Sequence, residues 1–529
     1  MTLLVTLAPI SVTFPKSVLT SVPVILLFFV LVSPLPTLAL SSNPAPLLSD
    51  HAPSWTELQE RVFATDTGRR LKKEAEQRAA GHGPPHTDAK LRLFSSTNNE
   101  DDVRVTFFRD SAAWCPYCQK TWVLLEEKKI PYRVQKVPLN AYGDKPAWYT
   151  RKVDGGKLPA IELDGELHVE SLHIMKLLDN TFTKDHGPRM FPSEEDNSAH
   201  KVSLANSLLS LEGDLQRDWF SLVFYPVKDE ALEKARSDLM DTLYRVDEAL
   251  SLTSGPWFLG GETPSIVDIQ YIATFERLIA SALYWKGLVL RGKYANIDLW
   301  LDAFEERPSY LATKADYFTH IMAIPSQNGP GYHTDESKDI ANKIYGLNDA
   351  WKIPLNTEHE PFPKKQTLNG DEAARHEAAF ELISNQENIV QFACRGAGEP
   401  GRPSFHAELA DPYSEPNEDF FTATDVCLRH VTVALLDSID KATSDAILDL
   451  SGQGGSGELR PSWDEYEDDD GRVYYWNDET GCSTYTPPTQ QLDTCVAYLR
   501  DRVGVPRDMG QGAAMQLRCH LNWAIDLLK

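Results

Sequence analysis

The chain has little cysteine for its length, with seven cysteines in 529 residues. Their number is odd and most lie far apart in the sequence, which does not fit the disulfide framework that holds small secreted proteins together. A reducing working compartment fits this composition better. The length is sufficient for three or more domains with full hydrophobic cores.

Positive charge is also scarce. The sequence has 52 Lys and Arg residues against 77 Asp and Glu residues, a formal net charge of −25. Such an excess of negative charge argues against nonspecific binding to nucleic acid and against attraction to anionic membrane surfaces. We therefore expect no nucleic-acid partner.

Charged residues are almost missing from the N-terminus. Residues 1–49 contain Lys16 as their single charged residue, and residues 22–32 form an apolar run. That run is short for a membrane span and has the usual length of a signal-peptide core. We interpret residues 1–45 as a cleaved targeting segment, with the endoplasmic reticulum or a single N-terminal membrane anchor as the alternative. Import into a chloroplast or other plastid would reconcile such a segment with unpaired cysteines.

The most informative segment is Trp114-Cys115-Pro116-Tyr117-Cys118. It lies between residues that alternate like a buried strand and residues with the period of a helix. Pro116 suits the first helical position, so Cys115 should meet the unpaired N–H groups and the positive dipole end of the helix, which favour thiolate over thiol. Cys118 follows one turn later, where it is close enough to attack a mixed disulfide on Cys115.

Two other interpretations of this C-x-x-C segment stay open, a structural disulfide and half of a zinc site. No second C-x-x-C and no pair of histidines at ligand spacing follows it in the sequence. The sequence therefore gives no metal site. Thiol or redox chemistry is the function that the strand–turn–helix context favours.

The pattern of periodicity, turn residues and composition predicts a helical stretch over 54–80 and a hairpin at Asp164-Gly165. It also divides the chain into segments. They are a targeting segment (1–45), a helical extension or linker (46–100), an α/β domain (101–183), an all-helical domain (190–322), a linker (323–366), a helical extension (367–452), an aromatic block (459–488) and a continuation of the helical extension (489–529).

Residues 101–320 resemble a glutathione transferase, which has a thioredoxin-like domain followed by an all-α domain. The resemblance depends on short motifs in the family's order and spacing, none of which is specific alone. They are Cys115-Pro116-Tyr117-Cys118, Lys145-Pro146-Ala147-Trp148, Lys157-Leu158-Pro159, Glu170-Ser171, and Gly260 and Pro264 with the capping motif Ser265-Ile266-Val267-Asp268.

The resemblance implies that glutathione is the co-substrate and that it binds to Lys145, Leu158, Pro159, Glu170 and Ser171. The chemistry agrees, because a Glu-Ser pair at a helix start supplies a carboxylate for the ammonium group and donors for the carboxylate of the γ-glutamyl end. A cis proline beside a strand leaves backbone groups on which an extended tripeptide can dock. Helix capping by Glu170-Ser171, a solvated Lys145 and a trans Pro159 are the structural alternatives.

A cysteine stands where many transferases carry a catalytic tyrosine or serine. The expected chemistry is therefore thiol transfer, deglutathionylation or reduction of a small-molecule or protein disulfide through a mixed disulfide on Cys115, with Cys118 as a second catalytic candidate. From residue 101 onward the chain resembles the long iota class of plants and algae. A homodimer is compatible with this family.

Residues 459–488 resemble a WW domain, a small all-β module. Trp463, Tyr475 and Pro488 should form its mini-core. Tyr474 and Tyr485, with Ser483, should form the groove that binds a proline-rich partner. Tyr485 stands where a second tryptophan is usual, so a sheet that folds without binding a ligand is the alternative.

Two functions follow for the whole chain. The first is a glutathione-dependent thiol transferase with a glutaredoxin-like mechanism. The second is a non-catalytic adaptor that binds glutathione or an apolar ligand and recruits proline-rich partners through the WW domain. An intact C-P-Y-C segment favours the first, because a scaffold has no physical need for it.

Overall fold

The fold is given by a computed structural model. It describes residues 49–94, 99–139, 142–183, 186–192, 199–355, 370–399, 401, 411–453, 459, 463–467, 473–478, 483–484 and 491–529. The predicted targeting segment at 1–45 lies outside these residues.

A mixed five-stranded sheet carries the α/β part of the molecule. Its strands are β1 (Leu91–Arg92), β2 (Val105–Asp110), β3 (Tyr132–Val137), β4 (Ala160–Leu163) and β5 (Glu166–Val169), in the order β1-β3-β2-β4-β5. Strands β2 and β3 are parallel, with Val105 opposite Tyr132, and the other neighbours are antiparallel. The turn between β4 and β5 is the Asp164-Gly165 hairpin expected from the sequence, and both residues have positive φ.

Three helices belong to this sheet: α3 (Pro116–Glu127), α4 (Ala147–Lys152) and α5 (Ser171–Thr181). Both faces of β2 are covered. Phe107 belongs to the main core with α3 and α5, while Phe108 packs in a smaller core with Tyr149 and Val153. Burial on both faces explains why two large apolar residues, Phe107 and Phe108, follow each other in β2.

A helical region follows, consisting of α6 (Ala199–Val223), α7 (Asp229–Ser251), α8 (Ile266–Lys286), α9 (Ala295–Glu305), α10 (Pro308–Leu311), α11 (Tyr317–Asn328) and α12 (Lys338–Ile344). Helix α8 is buried along most of its length. It begins with the capping box expected from the sequence, because the Ser265 side chain accepts from the Asp268 N–H and the Asp268 carboxylate accepts from the Ser265 N–H. This part shares one core with α3 and α5.

The N-terminal and C-terminal helices build a second core of their own. They are α1 (Trp55–Ala64), α2 (Asp66–Ala79), α13 (Gly370–Ser384), α14 (Gln386–Ala393), α15 (Phe421–Leu436), α16 (Ile439–Leu450), α17 (Leu492–Arg502) and α18 (Gln511–Leu528). Leu58 and Val62 of α1 are fully buried in it against residues of the C-terminal helices. We call this group of helices the extension domain.

A three-stranded antiparallel sheet lies within residues 459–488. It consists of β6 (Trp463–Glu467), β7 (Val473–Asn477) and β8 (Ser483–Thr484), in that order. Tyr475 in its middle strand is buried. Pro488, expected in the mini-core, lies outside the described residues.

The structure corrects two boundaries. The segment 323–366 was predicted to be a linker, but in its described part it holds the end of α11 and all of α12, with Ile344 and Trp351 buried. Its proline, glycine and histidine content resembles a linker locally, whereas its apolar residues pack on distant helices. The helical stretch predicted at 54–80 is two helices, because Thr65 ends α1 and caps α2. None of the described helices is long and apolar enough to cross a membrane.

Candidate functional site

Cys115 is the N-cap residue of α3, and Pro116 occupies the first turn, as the sequence predicted. The buried carboxylate of Asp110, at the end of β2, accepts the N–H of Trp114 at 2.7 Å and the N–H of Cys115 at 3.2 Å. These two bonds fix the backbone of the loop between β2 and α3. The cysteine is therefore held rigidly at the positive end of a helix.

Cys118 lies one turn further along α3, and its thiol contacts that of Cys115 through a side-chain hydrogen bond. Burial raises the pKa of Cys118 well above its usual value, and the hydrogen bond and the negative charge of Cys115 raise it further. Cys118 therefore stays protonated at neutral pH, and its side chain is 2% exposed. A buried neutral thiol is a poor nucleophile.

Asp110, Cys115 and Cys118 also form a cluster in which one ligand atom of each residue lies within 4.8 Å of the others. Two thiolates and a carboxylate are donors that suit a thiophilic ion such as zinc. The Asp110 carboxylate is already engaged with two backbone N–H groups. The cluster therefore belongs to the thiol site.

Two buried cations, Arg277 and Lys120, lie next to the cysteine loop, and no local pattern in the sequence predicted their position there. Arg277 of α8 donates to the carbonyl of Trp114 and, at 2.7 Å, to the amide oxygen of Gln119. Lys120 is 1% exposed, and its Nζ lies 3.9 Å from a carboxylate oxygen of Glu212. Burial lowers the pKa of both cations, against the opposing negative charges of nearby acids and of Cys115. These cations balance negative charge at Cys115.

The residues expected to bind glutathione lie on the loops around this helix start. The Leu158–Pro159 peptide bond is cis, as the resemblance implied, and β4 begins at the next residue. The hydroxyl of Tyr149 donates to the carbonyl of Lys157 at 2.6 Å and so fixes the approach to Pro159. The Leu158–Pro159 corner therefore has a fixed backbone beside β2.

Lys145 is half-buried on the loop before α4. Its side chain passes over Gly156, where an added Cβ would lie 3.0 Å from the Lys145 Cδ. Burial lowers the pKa of Lys145, and the negative charges of Cys115 and Cys118 oppose this shift. Lys145 therefore interacts electrostatically with the cysteine pair.

Glu170 and Ser171 stand where β5 passes into α5. Glu170 has a φ of 67°, in the left-handed region that non-glycine residues seldom adopt, and Ser171 is the first helical residue. The Glu170 carboxylate accepts from Lys157 Nζ at 2.9 Å. The sequence analysis did not predict a role for Lys157 in the site, although Lys157 is the first residue of the Lys157-Leu158-Pro159 motif.

Tyr117 is close enough to interact electrostatically with both the cysteine loop and the turn between β5 and α5. Burial of its hydroxyl raises its pKa, and the negative charges of Cys115, Glu212 and Glu170 act in the same direction. Glu170 and Cys115 are therefore both within electrostatic reach of one side chain. The predicted glutathione residues come together around α3 with the cysteine pair.

The predicted WW groove is only partly described. Tyr474 of β7 stacks on Tyr466 of β6, with ring centroids 5.7 Å apart and planes 26° apart. Ser483 lies in β8, but its side chain and Tyr485 lie outside the described residues.

Comparison with known proteins gives two matching family models. They are "Glutathione S-transferase, N-terminal domain" at residues 114–181 and "Glutathione S-transferase, C-terminal domain" at residues 229–303. Glutathione S-transferase L3 of Arabidopsis thaliana is 31% identical over 204 residues, which span 38% of this chain and 79% of that protein. Glutathione S-transferase L2, chloroplastic, of Arabidopsis thaliana is 24% identical over 289 residues, which span 53% of this chain and 90% of that protein. Among solved structures, glutathione transferase Omega 3C from Trametes versicolor is 23% identical and covers 40% of this chain and 90% of its own, with a TM-score of 0.35.

Proposed function

The chain belongs to the glutathione S-transferase family and uses glutathione as its co-substrate, and we propose that it is a thiol transferase acting through a mixed disulfide on Cys115. The observation that carries the proposal is the position of Cys115 at the start of α3, with its backbone held by Asp110. The unpaired N–H groups and the dipole at a helix start attract negative charge, and catalytic cysteines use such positions. Among the described residues no other cysteine is the N-cap of an α-helix.

The reaction has two displacement steps. The Cys115 thiolate attacks the glutathione sulfur of a mixed disulfide substrate, forms a disulfide with glutathione and releases the substrate as a thiolate that takes up a proton. A second glutathione thiolate then attacks this disulfide, which restores the Cys115 thiolate and forms oxidised glutathione. In the net reaction the glutathionylated substrate and one reduced glutathione give the free substrate thiol and oxidised glutathione, so the entering glutathione is oxidised as the substrate sulfur is reduced.

We propose the monothiol route, in which glutathione rather than Cys118 attacks the intermediate. Burial and the raised pKa of Cys118 support it, because thiolate is the attacking form. Glutathione is proposed to dock with its γ-glutamyl end at Glu170 and Ser171, its cysteinyl backbone at Leu158 and Pro159, and its glycyl carboxylate near Lys145.

Replacing Glu170 with glutamine is expected to raise the KM for glutathione about tenfold, because a hydrogen bond between a carboxylate and an ammonium group is worth more than its neutral counterpart. The Lys157–Glu170 pair is exposed on both sides, so it is weak and leaves the carboxylate available to the ligand. The measurement is steady-state reduction of a glutathionylated peptide, with oxidised glutathione followed through glutathione reductase.

Glu166→Gln is the matched control, because Glu166 is an exposed glutamate at the start of β5, the strand that leads to Glu170. It should leave the KM unchanged. An unchanged KM in Glu170→Gln, or an equal rise in both variants, would contradict the proposed docking.

A second candidate function is the recruitment of proline-rich partners by a WW domain. The observation that favours it is the three-stranded antiparallel sheet with Tyr466 and Tyr474 stacked across neighbouring strands. Aromatic rings on such a sheet suit a polyproline II ligand. This function is compatible with catalysis, and it becomes the main one if Cys115 proves inactive.

Replacing Tyr474 with alanine is expected to weaken binding of a proline-rich peptide about tenfold, since aromatic side chains dominate such small interfaces. Fluorescence anisotropy with a labelled peptide measures the Kd in the full chain. Tyr244→Ala is the control, because Tyr244 is an exposed tyrosine on α7. Absence of binding by the unmodified protein at high peptide concentration would leave the sheet with a structural role only.

We further propose a plastid location and cleavage of residues 1–45. The apolar, nearly uncharged N-terminus supports it, as does the name of the similar "Glutathione S-transferase L2, chloroplastic". A homodimer remains a prediction.

A further inference from the structure

A cavity of about 330 Å³ lies between the cysteine loop and the extension domain. Its volume is within the range of small-molecule sites in proteins. Its lining comes from four parts of the chain: the loop between β2 and α3, the loop between β3 and α4, the helix α11, and the extension domain. The cavity therefore exists only because the extension domain packs on the transferase part.

The transferase side of the cavity includes the loop that leads to Cys115. Ser111, Ala112 and Trp114 line it, and Trp114 is the residue before Cys115. Tyr142 lines it too, on the loop that leads to Lys145. A ligand in this cavity would therefore contact both loops that form the thiol site.

The extension domain supplies the opposite wall and supports one of these loops. Phe392, Tyr498 and Val503 line the cavity from this side. The hydroxyl of Tyr413 accepts the N–H of Asp144 at 2.7 Å, next to Lys145. The aromatic side chains in the lining give the cavity aromatic walls: Trp114, Tyr142, Phe318, Phe392 and Tyr498. Such walls suit a flat apolar or aromatic molecule.

The charge of the lining favours an anion. Three guanidinium groups and two carboxylates line the cavity, an excess of one positive charge: Arg395, Arg502 and Arg507 against Asp411 and Asp501. Two of these five groups form hydrogen bonds with residues outside the lining: Arg507 donates to the carboxylate of Asp508, and Arg500 donates to the carboxylate of Asp501.

Arg395 is the cation best placed to meet a ligand. It is half-buried and lies over the Phe392 ring at 5.4 Å. Within the part of the chain that the structure describes, it forms no ion pair with a carboxylate. A guanidinium on an aromatic wall is suited to a carboxylate or sulfonate attached to an aromatic ring.

We propose that this cavity binds the acceptor substrate, and that the substrate is a disulfide with an aromatic body and an anionic group that Arg395 recognises. This inference rests on the proposed thiol transfer at Cys115. With an aromatic disulfide, the Cys115 thiolate bonds to one sulfur and the other sulfur leaves with the electron pair as an arenethiolate. Two glutathione molecules then release the first arenethiol and form oxidised glutathione.

The first test measures binding without turnover. The probes are 8-anilinonaphthalene-1-sulfonate and N-phenyl-1-naphthylamine, which share their aromatic body and differ in the sulfonate, and fluorescence gives the Kd of each with the full chain. Arg395→Gln is expected to weaken the anionic probe about tenfold and to change the neutral probe less than about twofold, because only the charged contact is lost. The matched control Arg69→Gln removes an exposed arginine of α2 and should change neither.

The second test measures substrate choice. The two substrates are 3,3′-dithiodibenzoate and its neutral diamide, with glutathione as reductant. Arg395→Gln is expected to lower the ratio of their kcat/KM values, anionic over neutral, about tenfold. An unchanged ratio together with unchanged binding of the anionic probe would overturn the inference. Equal weakening of both probes would overturn the role of Arg395 in recognising the anion.

The two arms separate the inference from the proposed function. If the unmodified protein reduces neither the disulfides nor a glutathionylated peptide but Arg395→Gln still weakens the anionic probe selectively, thiol transfer fails and the inference about an acceptor substrate fails with it, while the anion site stands. If it reduces the glutathionylated peptide but neither disulfide, thiol transfer stands and the inference about the acceptor substrate is wrong. If the protein reduces both disulfides with an unchanged ratio, thiol transfer stands and the proposed specificity is wrong.

Discussion

Cys115→Ser is expected to lower glutathione-dependent reduction of a glutathionylated peptide by at least roughly a thousandfold, because removal of a catalytic nucleophile leaves little of an enzyme's rate. A serine hydroxyl cannot form a disulfide, so neither displacement step has a substitute. The substitution is nearly isosteric and Cys115 is 6% exposed, so the fold should persist. The assay follows oxidised glutathione, and circular dichroism checks the fold.

Cys118→Ser is the matched control, because it makes the same substitution one turn further along α3. It should keep the rate within about threefold, since glutathione and not Cys118 resolves the mixed disulfide. Equal loss of activity in the two variants would contradict the monothiol route and indicate a dithiol mechanism. Retention of activity in Cys115→Ser would contradict the whole proposal.

The second large effect is expected for Arg518→Met, which should destabilise the protein by about 3–5 kcal/mol. Arg518 of α18 pairs with Asp316 at the start of α11 at 2.5 Å, and both side chains are fully buried. Arg518 also donates to the carbonyl of Val503 at 2.6 Å. The pair joins the extension domain to the transferase part, and removing one partner leaves the other charge buried alone.

The electrostatics of Asp316 support this expectation. Burial alone would raise the pKa of Asp316. The charge of Arg518 and the hydrogen bonds that the Asp316 carboxylate accepts outweigh burial and lower this pKa. Without Arg518 only the hydrogen bonds from Thr319 oppose the effect of burial, and the carboxylate becomes costly to keep ionised at neutral pH. Urea unfolding followed by circular dichroism gives the free energy of unfolding.

Two further variants sharpen this test. Arg217→Met removes an arginine from an exposed pair with Asp214 and should cost no more than about 1 kcal/mol. The double variant Asp316→Asn with Arg518→Met keeps an N-cap side chain on α11 and leaves no buried charge, so it should be more stable than Arg518→Met alone. Equal stability losses in Arg518→Met and Arg217→Met would contradict the structural role of the pair.

The parts of the fold that the sequence predicted well depend on local signals. Pro116 starts α3, Asp164-Gly165 forms the hairpin between β4 and β5, and Ser265 with Asp268 caps α8. In each case the deciding interactions lie within a few residues, so propensity and spacing are sufficient. The expected glutathione residues also came together, because short loops beside one helix carry them.

What the sequence did not predict depends on contacts between distant residues. No local pattern predicts that α1 packs on the C-terminal helices. Leu58 belongs to the apolar face of an amphipathic helix, and such a face does not indicate which part of the chain covers it. Arg277 donates a hydrogen bond to the carbonyl of Trp114, although the two residues are 163 positions apart in the sequence. Trp351 was assigned to a linker because of its neighbours in sequence, yet it packs edge-to-face against Phe318 in the core. Tertiary packing overrides local composition at such positions.

The central claim is that Cys115 forms a mixed disulfide with glutathione, and trapping that species tests it most directly. Cys118→Ser protein is mixed with a glutathionylated peptide in the absence of free glutathione, quenched in acid and digested for mass spectrometry. The account predicts one glutathione per chain, located on Cys115, with release of the free peptide thiol. Unmodified Cys115, or glutathione on other cysteines to the same extent, would contradict it.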